Sequence, residues 1–129
     1  MSVEVSAGLQ ALDGDVFDTN CPSRGVLDHV TSRWGVLVLA ALVERPMRFS
    51  ELHRRIGGVS QKMLAQTLRA LAADGFVDRL VTPAAPPQVT YRLTALGDQV
   101  AGHVVGLVGW IERHLPDILA AREAEPVGS

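Results

Sequence analysis

The spacing of apolar residues changes several times along this chain, and each change marks an element. Val26, Leu27 and Val30 recur at helical spacing and predict a short helix with one inward face. Pro22 suits its first turn, where a missing N–H costs nothing. Residues 34–43 (Trp34, Gly35, Val36, Leu37, Val38, Leu39, Ala40, Ala41, Leu42, Val43) are apolar nearly all round and predict a buried central helix. Pro46 ends it, because the residue before a proline avoids the helical region. Met47, Arg48 and Phe49 then read as a short strand or bridge. Over 49–71 the helical period returns twice. Leu52 and Ile56 share a face, with Ser50 as expected N-cap and Gly57-Gly58 as the stop. Ser60 is placed to cap a second helix, with Val59 stapled on Leu64. Leu64, Leu68 and Leu71 make that helix's buried stripe. Helix, glycine turn, helix is a helix-turn-helix.

After Gly75 the period becomes that of a strand. Residues 76–81 and 89–93 are rich in β-branched and apolar side chains, and they flank Pro83-Ala84-Ala85-Pro86-Pro87, which can continue neither a strand nor a helix. Two strands around such a loop predict a β-hairpin wing. Thr94 should cap a last helix to about residue 119, with Pro116 bending or interrupting it. Val100, Val104, Leu107, Ile111 and Leu115 recur along that helix at steps of three and four. With Val105, Val108 and Trp110 beside them the stripe is too wide for one contact, so it should serve both the domain core and a partner helix. The expected fold is α+β and mostly α: a winged helix-turn-helix with a C-terminal dimerisation helix. Its divisions are a flexible acidic arm over 1–20, the DNA-binding domain over 21–93, the dimerisation helix over 94–122 and a flexible tail over 123–129.

Charge sharpens this picture. Net charge is only −2, but residues 45–92 hold eight basic and three acidic residues, and the remainder holds four basic and eleven acidic ones. A basic middle in an acidic chain suits a nucleic-acid face, although an ordinary solvated surface would read the same way. The first twenty residues are acidic and lack a basic stretch followed by an apolar run, so no signal peptide is expected. The longest apolar run is far short of the roughly 20 residues of a membrane span. A cytoplasmic protein without a membrane partner is the expectation. One cysteine, Cys21, leaves no internal disulfide framework.

Candidate chemistry concentrates on the second helix of the motif. Gln61, Gln66 and Arg69 fall on its outer face, and glutamine can pair bidentately with adenine and arginine with guanine. Ser60 and Lys62 stand at its start, where a helix N-terminus and an ammonium both suit phosphate. Arg45, Arg48, Arg79 and Arg92 are candidate contacts to the DNA backbone, or partners of Glu51 and Asp78 on a solvated surface. Cys21 is a candidate redox sensor, because a thiol at a helix N-terminus ionises more readily; the plain alternative is a small buried apolar residue. Trp34 and Trp110 are candidates to line a ligand pocket between the central and last helices, against ordinary packing. His29, His53, His103 and His114 show no metal spacing. No cofactor and no catalytic constellation is expected.

The motifs Cys21-Pro22, Leu27-Asp28, Arg33-Trp34, Arg48-Phe49-Ser50-Glu51-Leu52, Ser60-Gln61-Lys62-Met63-Leu64, Gln66-Thr67-Leu68-Arg69, Pro86-Pro87 and Tyr91-Arg92-Leu93-Thr94 occur in this order. In this series the chain resembles the HxlR-type winged-helix transcription regulators, relatives of the MarR group, over about 21–113. The resemblance implies a homodimer on a pseudo-palindromic operator near its own or a neighbouring gene. It also implies that a cysteine at the Cys21 position senses oxidants or electrophiles in some members. The chain departs from the family before and after the double proline, where Ala84, Ala85 and Gln88 replace the usual acid and arginine. Its wing is less charged, and the family aromatic near Thr82 is missing. Taken together, these features predict a sequence-specific regulator of transcription, acting as a repressor on double-stranded DNA, with a small-molecule inducer or an oxidant as its signal. The alternatives are a winged helix used only for protein interaction, or a regulator controlled by a ligand without cysteine chemistry.

Overall fold

The computed structural model describes residues 15–124, so most of the expected arm and the end of the expected tail lie outside the described residues. Five helices and three strands follow in the order α1 (Pro22–Thr31), α2 (Arg33–Glu44), β1 (Met47–Arg48), α3 (Phe49–Arg55), α4 (Gln61–Ala73), β2 (Val77–Thr82), β3 (Gln88–Leu93) and α5 (Ala95–Ala124). The strands form one antiparallel sheet in the order β1-β3-β2. Among the described residues no single helix is long and apolar enough to cross a membrane.

Helix α2 is the centre of the core. Val38 and Leu39 are fully buried and meet Leu52 of α3 and Leu64 and Leu71 of α4, which are equally buried, together with Met47 of β1. Each such side chain contributes about 1.5–3 kcal/mol by leaving water. The helix is not buried all round, however. Leu37 is 37 % and Val43 50 % exposed, on the side facing the middle of α5. Helix α1 turns inward only Val30, leaving Val26 and Leu27 open. Before it, residues 15–20 fold into turns in which Asp15 and Asp18 accept the N–H groups of Phe17 and Asn20. Arg24 reaches back to the carbonyls of Val16 and Phe17.

Helix ends follow local chemistry, with one correction. Ser50 is not an N-cap but lies inside the first turn of α3. Arg48 is held extended by pairing with Thr90, so the helix begins one residue after the strand ends. Its N–H is accepted by the Glu51 carboxylate at 2.9 Å, the return half of a capping box; the forward half needs an acceptor that arginine lacks. Gly58 takes a positive φ of 87° after α3. Ser60 caps α4, its hydroxyl accepting from Met63 N at 3.0 Å. At the other end Phe76 N donates to Leu71 O and Gly75 N to Ala72 O, with Gly75 at φ 83°. That is the paired closure for which a left-handed glycine is the favoured residue.

The long helix α5 begins at a tight junction. Thr94 Oγ1 donates to Gly75 O at 2.6 Å and accepts from Gly97 N at 2.9 Å, and Thr94 N donates to Phe76 O. Gly97 lies against that same carbonyl, where a Cβ would come within 1.9 Å of the oxygen. Pro116 does not interrupt α5, which continues to Ala124. The proline removes one N–H from a turn that is exposed, so water can take the freed carbonyl of Glu112.

A methyl group at position 97 should therefore force α5 off the sheet. Gly97→Ala is expected to lower unfolding free energy by roughly 1–3 kcal/mol. Gly102, on the same helix with open space around it, should gain about 0.5–1 kcal/mol on change to alanine. Thermal denaturation of both variants checks the contrast. A Gly97→Ala protein that melts with the parent would rule out this docking of α5.

Candidate nucleic-acid interface

The leucine stripe of α4 fixes which of its side chains can reach a ligand. With Leu64, Leu68 and Leu71 turned into the core, Gln61, Lys62, Gln66 and Arg69 are exposed, as is Ser60 at the cap. At about 100° per residue, Lys62 and Gln66 point almost opposite the leucines. Arg69 is turned about 50° from that direction, toward the sheet. Helix α4 has the rigidity that a groove-reading helix needs, since both ends are closed by hydrogen bonds and its inner face is buried.

The sheet sorts the wing arginines onto different faces. Arg79 stands opposite Tyr91, and Val77 opposite Leu93; these pairs share the face turned toward α4. Asp78 stands opposite Arg92 on the other face, and their side chains approach to 3.8 Å. Arg92 is thus partly engaged by an acid, and Arg79 is turned into a cleft that Arg69 also lines.

At the entry to the motif the basic residues are held by neighbours. Arg45 Nη1 donates to Glu51 Oε2 at 2.9 Å. The Arg48 N–H, and after it the Arg45 side chain, hold the Glu51 carboxyl below the usual carboxylate range. Arg48 Nη2 donates to Gln88 Oε1 at 2.7 Å, so the residue that replaces the usual wing arginine anchors a different arginine, from the end of β1 to the loop end of β3. This tie spans forty residues of sequence and nothing in the local pattern announces it. His29 Nδ1 hydrogen-bonds the carboxylate of Asp74, the residue that closes α4, and so links α1 to the end of α4. That contact, too, has no sequence signal.

Cys21 is the N-cap residue of α1 and is partly exposed. Its sulfur lies 2.9 Å from Ser23 Oγ and accepts Asp15 N at 3.2 Å. The Ser23 hydroxyl, assisted by the N–H groups of Ser23, Asp15 and Arg24, holds the thiol below its ordinary pKa. The two tryptophans do not share a site. An apolar groove of about 360 Å³ does lie between α2 and α5, but its walls are Leu37, Ala40, Val43, Val105 and Val108, with Glu44, Arg55 and Glu112 at the rim. Arg33 lies over the ring of Trp34, while Trp110 stacks on His114 at a ring separation of 4.3 Å. Neither tryptophan lines the groove. Of the five stripe residues on α5, Val100 and Val104 pack into the domain's own core, Val104 being only 8 % exposed. Leu107 (56 %), Ile111 and Leu115 are open. Among the described residues no group of histidine, cysteine and acidic side chains has the geometry to hold a metal ion.

Comparison with known proteins agrees with this geometry. A family model described as HxlR-like helix-turn-helix matches residues 29–118. An uncharacterized HTH-type transcriptional regulator, YtfH of Escherichia coli K12, is 56% identical over 120 residues, 93% of this chain and 95% of that protein. The solved structure of the putative transcriptional regulator ytfH from Salmonella typhimurium is 57% identical, with a TM-score of 0.80 over 85% of this chain and 98% of that one. The redox regulator HypR, solved in its oxidized form, is 33% identical, with a TM-score of 0.66 over 72% of this chain and 96% of that one.

Two substitutions on α4 should separate its roles. Lys62→Ala is expected to weaken binding to every duplex alike and to lower the slope of log affinity against log salt by about 0.9. Gln66→Ala should cost about 1–3 kcal/mol on a preferred sequence and relax selection at one base pair, while leaving random duplex unaffected. Competition binding at several salt concentrations measures both. Parent-like behaviour of both variants would remove α4 from the reading role.

Proposed function

The chain belongs to the HxlR-like helix-turn-helix family and is a helix-turn-helix transcriptional regulator, and we propose that it works as a homodimer on a two-half-site DNA operator, repressing transcription by occupying that site. The observation that carries the DNA reading is the build of α4, whose buried leucines and closed ends present Lys62 and Gln66 outward on a rigid helix. Beyond Val104 no residue of α5 is buried, although Leu107, Trp110, Ile111, Leu115 and Leu119 still stand on it. An apolar stripe of that length left open to water favours a second copy as its cover. A two-fold dimer would set two α4 helices against successive turns of one duplex face.

The signal belongs to the same proposal. Cys21 sits at the start of α1, and the likeness to the redox regulator HypR supports a sensing role. A thiol with a lowered pKa offers more thiolate at neutral pH, the form that oxidants and electrophiles attack. Bulk or charge added there would shift α1, and through His29 and Asp74 the end of α4. An operator read at fixed half-site spacing would feel such a shift more than random DNA.

Selection of binding sites from genomic DNA, with and without a mild oxidant, tests the reading. Parent protein should enrich a pseudo-palindrome and release it on oxidation, and Cys21→Ser should stay bound. Changing Leu107 and Ile111 together to glutamate should give a monomer by sedimentation and abolish enrichment. A dimeric double variant, or oxidant release identical in Cys21→Ser, would contradict the corresponding part of the proposal.

A further inference from the structure

The cleft between the reading helix and the wing has a composition that its neighbours do not. Ala65, Leu68, Arg69 and Ala72 of α4 form one wall and Arg79 and Tyr91 of the sheet form the other, around a volume of about 410 Å³. Ala65 and Ala72 lie one turn to either side of Arg69 on the helix, and their small side chains keep the cleft open. Most other arginines of the motif are engaged: Arg45 with Glu51, Arg55 with Glu44, Arg92 with Asp78 and Arg48 with Gln88. Among the described residues no acidic side chain lies within 4.0 Å of Arg69 or Arg79. Asp78, the nearest acid in sequence, points from the opposite face of the sheet. Two guanidinium groups thus share one cleft without a counter-charge, and two like charges so placed favour an anion between them.

We propose that Arg69 and Arg79 close on a single backbone phosphate of DNA, making this cleft a phosphate clamp and Arg69 a positioning residue instead of a base reader. The inference rests on the DNA reading of α4 given above. A helix lying in the major groove is separated from a hairpin at its side by the sugar-phosphate ridge, so the cleft between them is where a phosphate passes. Arg69 is directed to that ridge and away from the base edges by its turn toward the sheet. Arg79 comes from the sheet face that looks at α4, and Tyr91 beside it carries a hydroxyl that can donate to the same oxygen. Base selection is left to Gln66 and its neighbours on the outermost face, while Lys62 keeps to phosphate.

The test uses full-length protein, a random-sequence 30-base-pair duplex and the duplex enriched by parent protein, with Arg69→Ala, Arg79→Ala and the double variant. Each single variant should lose roughly tenfold or more in affinity, by the same factor on both duplexes. The salt slope should fall by about 0.9 in either single variant and no further in the double, because one phosphate is shared. Replacing backbone phosphates one at a time with neutral methylphosphonate should find one position per half-site where parent binding weakens and the effect of both arginine changes disappears. The weakening of parent binding at that position needs no variant to fold, so that part of the scan tests the phosphate contact on the parent alone. The clamp is overturned if Arg69→Ala relaxes preference at a base pair while random duplex binds as before. It is overturned equally if the double variant loses two phosphates' worth of salt dependence. Parent protein that binds neither duplex would overturn the DNA reading itself, and the clamp with it.

Discussion

Everything that presents α4 to a ligand depends on the junction around Thr94. One hydroxyl donates to the carbonyl of Gly75, just after α4, and accepts from Gly97, in the first turn of α5. The N–H of the same residue closes on Phe76, where the sheet begins. Helix α4, wing and long helix thus meet at one set of three hydrogen bonds centred on Thr94. Glycine at 97 is the condition for this, because the carbonyl of Phe76 occupies the space a side chain would need. With the junction formed, the leucines of α4 are pressed onto α2 and the wing is held at a fixed angle beside them.

The geometry divides labour along each element. On α5 the first three turns complete the domain core through Gly97, Ala101 and Val104, and the remainder carries an apolar stripe with no cover within the chain. On the sheet one face carries Arg79 and Tyr91 toward α4, and the other carries the Asp78–Arg92 pair toward solvent. Charge is therefore not spread evenly over the basic middle of the sequence. Much of it is neutralised locally by Glu44, Glu51 and Asp78, and what remains unopposed flanks the reading helix.

Much of this was legible in the sequence wherever a short-range rule decided the outcome. Ser60 and Thr94 cap as hydroxyl residues before apolar periods do, and the leucine stripe of α4 is buried as its spacing requires. Longer-range competition decided the rest. Ser50 lost the cap because strand pairing carried the extended backbone through Arg48, and Glu51 was already bonded to its N–H. Pro116 alone suggests a bend or an interruption, yet at an exposed turn its cost is met by water and the helix is not interrupted. The breadth of the α5 stripe announced more than one contact, but only packing shows that Val100 and Val104 enter the core while Leu107, Ile111 and Leu115 stay open. Gln88 reads in sequence as a lost charge, and in the fold it is the acceptor that holds Arg48.

The central claim is that two copies of α4, fixed by these junctions and joined through the open stripe of α5, read one face of a duplex. Hydroxyl-radical footprinting on a duplex enriched by the protein measures this directly. The account predicts two protected patches on the same face, with centres about 34 Å apart, one turn of the double helix. Protection confined to a single half-site, or two patches on opposite faces of the duplex, would contradict it.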